Sequence, residues 1–170
     1  NLDPVGIHCH IGSQLTQLQP IIESVKIITD LVRNLKAIKI ELSFMDIGGG
    51  LGIVYKDEVL IDTKEYAQSV LDAMFKLDIT VICESGRFMV GNAGTFVTKV
   101  LYEKVNGNKR FVIVDGAMND LIRPSLYNAY HRIEVLNDNQ DFSDCNLVGP
   151  VCESGDFFAK NVELPKTEHN

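Results

Sequence analysis

Val81-Ile82-Cys83-Glu84-Ser85-Gly86-Arg87 is the stretch on which the reading of the chain turns. An apolar run ends on a carboxylate, then a small flexible pair, then an arginine. Behind a helical segment, such a run reads as a buried parallel strand whose carboxyl end carries polar chemistry. In a β/α barrel that end is where active sites sit. Glu84 then stands at the strand tip, Gly86 lets the chain turn close to a ligand, and Arg87 offers a planar fork suited to phosphate or carboxylate. Taken alone, a strand-end Glu–Arg salt bridge explains the stretch equally well.

Working outward, residues 6–14 and 46–52 repeat the design. Residues 5–11 read as a short strand with Gly6, His8 and His10 on one face by its period of two; Gly12 and Ser13 end it. Ile21, Val25, Ile28, Val32 and Leu35 then recur at helical spacing, and Pro20 suits a first helical turn. Residues 42–47 form a second strand, closed by Gly48-Gly49-Gly50-Leu51-Gly52. Asp62-Thr63-Lys64-Glu65 resembles a capping box with Asp as the cap. Tyr66, Val70, Leu71, Met74 and Phe75 supply the buried stripe of the helix that follows. Residues 79–83 are the third strand. Three strand–loop–helix units in succession predict parallel β/α architecture.

Near residues 91–94 the texture changes. Residues 95–105 alternate as a long strand, Asn106-Gly107 is a hairpin signal, and residues 110–115 return as another strand. No long amphipathic helix follows, and Gly149-Pro150 and Gly155 punctuate short apolar runs. This half reads as mainly antiparallel β in a separate domain. Three parallel strands with both edges open leave backbone groups unpaired, so further strands are expected from another chain or from more of the same one.

Composition narrows the functional class. The chain has 170 residues, 45% hydrophobic and 23% charged, with a formal net charge of −7. That is a globular composition, and the acidity with no basic stripe argues against nucleic acid. No apolar run approaches the ~20 residues of a membrane span, and no secretory signal is read at the start. Cys9, Cys83, Cys145 and Cys152 show neither a C-x-x-C pair nor disulfide-framework spacing, and read as reduced cytosolic thiols. A cytoplasmic protein is expected.

His8 and His10 on one strand face raise a zinc reading. The remaining histidines, His131 and His169, sit in irregular or tail context, so no metal is expected; core histidines bonded to backbone are the alternative for either imidazole alone. Cys9 faces the other way and reads as packing. The glycine loop at 48–52 is neither a P-loop nor a dinucleotide fingerprint, yet its N–H groups can converge on phosphate oxygens. Ser13, Gly49, Gly50, Gly86 and Arg87 together describe a phosphate cup across three strand ends. Glu84 adds a carboxylate able to bond a heterocycle's ring nitrogen.

His8-Cys9-His10-Ile11-Gly12-Ser13-Gln14, Asp46-Ile47-Gly48-Gly49-Gly50-Leu51-Gly52 and Cys83-Glu84-Ser85-Gly86-Arg87, in that order, resemble the alanine-racemase-type barrel of the pyridoxal-phosphate amino-acid decarboxylases. Asp115-Gly116-Ala117-Met118-Asn119-Asp120, Arg123-Pro124-Ser125-Leu126-Tyr127 and the run Gly149-Pro150-Val151-Cys152-Glu153-Ser154-Gly155-Asp156 extend the resemblance over essentially the whole chain. It implies that residues 1–93 are the last strands and helices of a pyridoxal 5′-phosphate-binding (β/α)8 barrel and that 94–170 are part of a β-rich C-terminal domain.

The implied activity is loss of CO2 from meso-diaminopimelate to give L-lysine. An ornithine- or arginine-type decarboxylase and a non-catalytic regulatory homologue are the competing readings. By the same resemblance His10 stacks on the cofactor ring and Ser13 bonds its phosphate. Gly48, Gly49 and Gly50 donate backbone N–H groups to that phosphate. Glu84 pairs with the protonated ring nitrogen, and Gly86 and Arg87 meet phosphate and substrate carboxylate. Arg123, Tyr127 and Glu153 bind substrate, and Cys152 is the acid that reprotonates Cα. Cys152 and Glu153 are implied to serve the neighbouring subunit's site in a homodimer. The family's Schiff-base lysine and its closing Gly-Ala-Tyr segment find no match, so the isolated stretch is expected to be inactive.

Overall fold

The computed structural model describes residues 2–136 and 139–167. Two compact units divide the chain, Asn1–Gly94 and Thr95–Asn170. Among the described residues no helix is long and apolar enough to cross a membrane.

In the first unit, β1 (Gly6–His8), β2 (Phe44–Asp46) and β3 (Thr80–Ile82) form a parallel sheet in that order, with α1 (Leu18–Ala37) and α2 (Thr63–Ala73) as crossovers. The register pairs His8 with Asp46 and Asp46 with Ile82, so all three strands end level. Each strand is shorter than its apolar run predicts, because beyond these ends the chain turns outward into loops. Individual ladder bonds persist there: Cys9 N–H donates to Asp46 O at 3.0 Å, Ile47 N–H to Ile82 O at 3.0 Å, and Glu84 N–H to Gly48 O at 2.9 Å. The loops are therefore pinned to one another as firmly as the strands below them.

The core beneath them is helical packing on the sheet. Ile21, Ile22, Val25, Ile28 and Val32 of α1 meet Met45, Ile47 and Leu51, with Val70 and Met74 closing the cluster. Burying each such side chain stabilises by about 1.5–3 kcal/mol. Pro20 sits in the first turn of α1, where its missing N–H has no intrahelical partner to lose. Asp62 caps α2, accepting from the N–H groups of Lys64 and Glu65, each at 2.9 Å. Leu71 and Phe75 depart from the expected stripe and are exposed. Tyr66, Val70, Met74 and Leu77 hold the inner face, and Leu71 and Phe75 lie one residue, or about 100°, further round.

The second unit is a four-stranded sheet of β4 (Val100–Asn106), β5 (Lys109–Val114), β6 (Phe142–Val148) and β7 (Phe157–Pro165), in that order. β4–β5 and β6–β7 are antiparallel and β5–β6 are parallel, so the sheet is mainly antiparallel, as expected, with one parallel pair in its middle. The reason is the connection: a parallel pair needs a long crossover, and residues 115–141, carrying the short helix α3 (Arg123–Tyr127), provide it. The β4–β5 hairpin turns through Gly107, whose φ of +64° suits a residue without Cβ.

Arg110 is the organising side chain of this sheet. From β5 it binds Glu103 of β4 through two bonds, at 2.8 and 2.6 Å, and Ser143 O of β6 at 3.2 Å. It also donates to Leu164 O and Pro165 O of β7, at 2.9 and 2.8 Å. One buried guanidinium thus touches all four strands. Val112, Val114, Cys145, Leu147, Phe158 and Leu164 pack the apolar core, and burial raises the Cys145 thiol pKa.

Candidate active site

In the first unit the three level strand ends bring the first half's predicted residues to one place. A cavity of about 200 Å³ is lined by His10, Ser13, Gly50, Glu84, Gly86 and Arg87, among others. Arg87 Nη2 contacts the Ser13 hydroxyl, and its Nη1 donates to the Tyr55 hydroxyl at 3.1 Å. A hydroxyl and a guanidinium side by side form an anion-binding pair. Gly49 N–H points at His10 Nδ1, 3.4 Å away, leaving that nitrogen as the acceptor. Gly50 N–H has no partner among the described residues.

Glycine is required in this loop by close approach. A Cβ at Gly49 would strike the Glu84 carbonyl, and one at Gly50, with φ of +96°, would strike the carbonyl of Gly12. Gly48 departs from its expected role. Its N–H is taken up by Asp46 Oδ1 at 2.8 Å, so it shapes the turn and is not an open phosphate donor.

Three contributors went unassigned in the sequence. His8 Nε2 lies 3.3 Å from Glu84 Oε2, with side chains 54% and 52% exposed. At such exposure an ion pair contributes only about 0–1 kcal/mol to stability. Tyr55 steadies Arg87, and the Gln14 amide pairs with the backbone of Ile53, at 2.6 and 3.2 Å. Nothing in local pattern marks these contacts, which join residues far apart in the chain. Donor atoms of His8, Asp46 and Glu84 lie within 4.8 Å of one another. His8 and His10 engage different groups, Glu84 and Gly49. His131 lies in the irregular stretch after α3, and His169 falls outside the described residues.

In the second unit, Arg123 and Tyr127 share α3, with the guanidinium 5.3 Å from the Tyr127 ring centroid. Arg123 Nε is buried and, among the described residues, without a hydrogen-bond partner. Cys152 is exposed on the β6–β7 loop. Neighbouring Glu153 accepts from Gly155 N–H at 3.1 Å and from the Ser154 hydroxyl at 3.0 Å, which holds its carboxyl below the usual range. Asp156, only 4% exposed, accepts from Met118 N–H and Val151 N–H, each at 2.7 Å. It therefore fixes the loop that carries Cys152. Its residue type alone did not distinguish it from the rest of the motif.

In the first unit a hydroxyl–guanidinium pair, a glycine loop and a carboxylate meet around one cavity. The chain belongs to the family described as pyridoxal-dependent decarboxylase, C-terminal sheet domain, which matches residues 13–170. Within it the chain is 55% identical over 168 residues to the diaminopimelate decarboxylase of Campylobacter jejuni, covering 98% of this chain and 42% of that protein. The crystal structure of diaminopimelate decarboxylase from Helicobacter pylori complexed with L-lysine is 50% identical, with a TM-score of 0.89 over 98% of this chain and 42% of that one. The lysine/ornithine decarboxylase of Vibrio vulnificus, at 22% identity and a TM-score of 0.82, shares the fold. The chain spans about two fifths of the length of these relatives.

Proposed function

We propose that this chain is a section of a cytoplasmic, homodimeric diaminopimelate decarboxylase. Its first unit supplies the last strands of a (β/α)8 barrel that binds pyridoxal 5′-phosphate, and its second is part of the C-terminal domain. The reaction removes CO2 from the D-centre of meso-diaminopimelate and leaves L-lysine. The observation that carries this reading is the meeting of Ser13, Gly50, Glu84 and Arg87 around one cavity at three strand ends. The relatives named above support the choice of substrate.

When bound, pyridoxal phosphate supplies an electron sink for the bond pair released as CO2 departs. The residues of this chain bind and orient it and handle protons around it. Ser13, Gly50, Gly86 and Arg87 would hold the phosphate, and Arg87 would also reach the substrate carboxylate. His10 lies against the ring face. Glu84, as a carboxylate, accepts the ring-nitrogen proton. The Cys152 thiol delivers a proton to Cα, and Glu153 faces substrate, both acting in the neighbouring subunit's site. Arg123, aided by Tyr127, takes the distal carboxylate, and the unpartnered Nε of Arg123 is a donor suited to that contact.

The test is CO2 release and lysine formation by the full-length protein with its cofactor. Meso-diaminopimelate should be turned over in strong preference to ornithine. Arg123→Leu should lower kcat/KM for diaminopimelate about thirtyfold or more, the scale of a buried charge contact of about 2 kcal/mol or above. A substrate lacking the distal carboxylate should be little affected. Equal losses for both substrates would contradict the assignment.

A further inference from the structure

His8 occupies a place that fold stability does not explain. It is the last residue of β1 and pairs in register with Asp46. Its imidazole is half exposed, yet it is directed at Glu84, a residue 76 positions away at the end of a different strand. The contact uses one carboxylate oxygen, Oε2; among the described residues Oε1 has no hydrogen-bond partner. A carboxylate serves as acceptor for a ring N–H through an oxygen that is turned toward it. A donor fixed on one oxygen limits rotation about the terminal torsion, which is otherwise broad.

We propose that His8 is a positioning residue for the ring-nitrogen contact: its Nε2–H holds Glu84 Oε2 and leaves Oε1 to meet the protonated nitrogen of bound pyridoxal phosphate. The proposal rests on the reading of Glu84 as the ring-nitrogen partner. Asp46 extends the arrangement. Its Oδ1 secures Gly48 N–H, and its carboxylate lies with the His8 and Glu84 donor atoms inside a 4.8 Å cluster. The ends of all three strands thereby come close together, Asp46 securing the glycine loop and His8 meeting Glu84. His8 does not touch the reacting atoms, and its influence passes through Glu84.

The experiment compares two ligands on the full-length apoenzyme, pyridoxal phosphate and its 1-deaza analogue, in which a C–H replaces the ring nitrogen. Dissociation constants come from fluorescence titration, and kcat and KM are measured alongside. Wild type should prefer the natural cofactor, and Glu84→Gln should lose that preference. His8→Leu should reduce it by about tenfold, the scale of one charge-assisted hydrogen bond, and lower kcat with KM little changed. His8→Gln, which keeps an N–H near the same position, should recover most of both and serves as the reading if His8→Leu does not fold. If His8→Leu folds and keeps the wild-type preference while Glu84→Gln loses it, the role assigned to His8 is wrong. If Glu84→Gln also keeps the preference, the reading of Glu84 itself fails.

Discussion

Each unit contains a carboxylate facing a basic side chain, and the two pairs have opposite characters. Glu103 and Arg110 sit in the second unit with side chains 19% and 8% exposed. Glu103 also accepts from the N–H and hydroxyl of Thr167, at 2.7 and 2.6 Å, and Arg110 donates to carbonyls of β6 and β7. This pair is saturated and largely withdrawn from solvent. Glu84 and His8 in the first unit are half exposed, meet through a single contact of 3.3 Å, and leave a carboxylate oxygen unused. Burial and saturation turn one pair into a strap for a sheet. Exposure and a spare acceptor leave the other available to a ligand.

The contrast can be broken most directly in the strap. Arg110→Leu strands the Glu103 carboxylate in a buried setting, which typically costs about 3–5 kcal/mol. Urea unfolding followed by circular dichroism measures it, and a loss below about 1 kcal/mol would mean the pair is not a strap. A similar effect is expected from acid. The Arg110 guanidinium, with the Thr167 bonds adding to it, lowers the Glu103 pKa from 4.5 to about 2. A depressed folded-state pKa means the unfolded chain binds the proton first, so the stabilisation is fully present above pH 4.5 and is lost as pH falls through about 2. Its size is about 3 kcal/mol, and Glu103→Gln should flatten the stability profile across that window.

Asp156→Asn is expected to cost less, about 1–3 kcal/mol, because the amide presents a donor to one of two backbone N–H groups that need an acceptor. Cys152 alkylation rates should change with it, since the loop loses its anchor; unchanged rates and stability would separate Asp156 from the loop. The smallest effect belongs to the open pair. His8→Gln should shift stability by no more than about 1 kcal/mol. A loss as large as that from Arg110→Leu would erase the distinction between the pairs.

Much of the first unit was legible because its periods are simple: apolar runs for buried strands, helical spacing for α1, and an acidic cap for α2. Leu71 and Phe75 were misplaced because a helical stripe tolerates neighbours that only full packing can assign. The parallel β5–β6 pairing was not readable, since the direction of a strand after a long crossover depends on tertiary packing. Arg110 looked like an ordinary charged strand residue, and its role rests on partners as many as 55 positions away. Of the residues that line the cavity, Glu84, Ser13 and Arg87 stood out in the sequence by position at strand ends. Gly48 was misjudged because its N–H is claimed by Asp46, only two residues back, a local turn that the glycine run concealed.

The most direct test of the account is turnover and cofactor occupancy of Glu84→Ala in the full-length enzyme. The phosphate cup proposed from Ser13, Gly50 and Arg87 does not involve the Glu84 side chain, so pyridoxal phosphate should still bind, while kcat for meso-diaminopimelate should fall steeply. Near wild-type turnover at full cofactor occupancy would contradict the assignment of Glu84 and, with it, the reading of the three strand ends as one cofactor site.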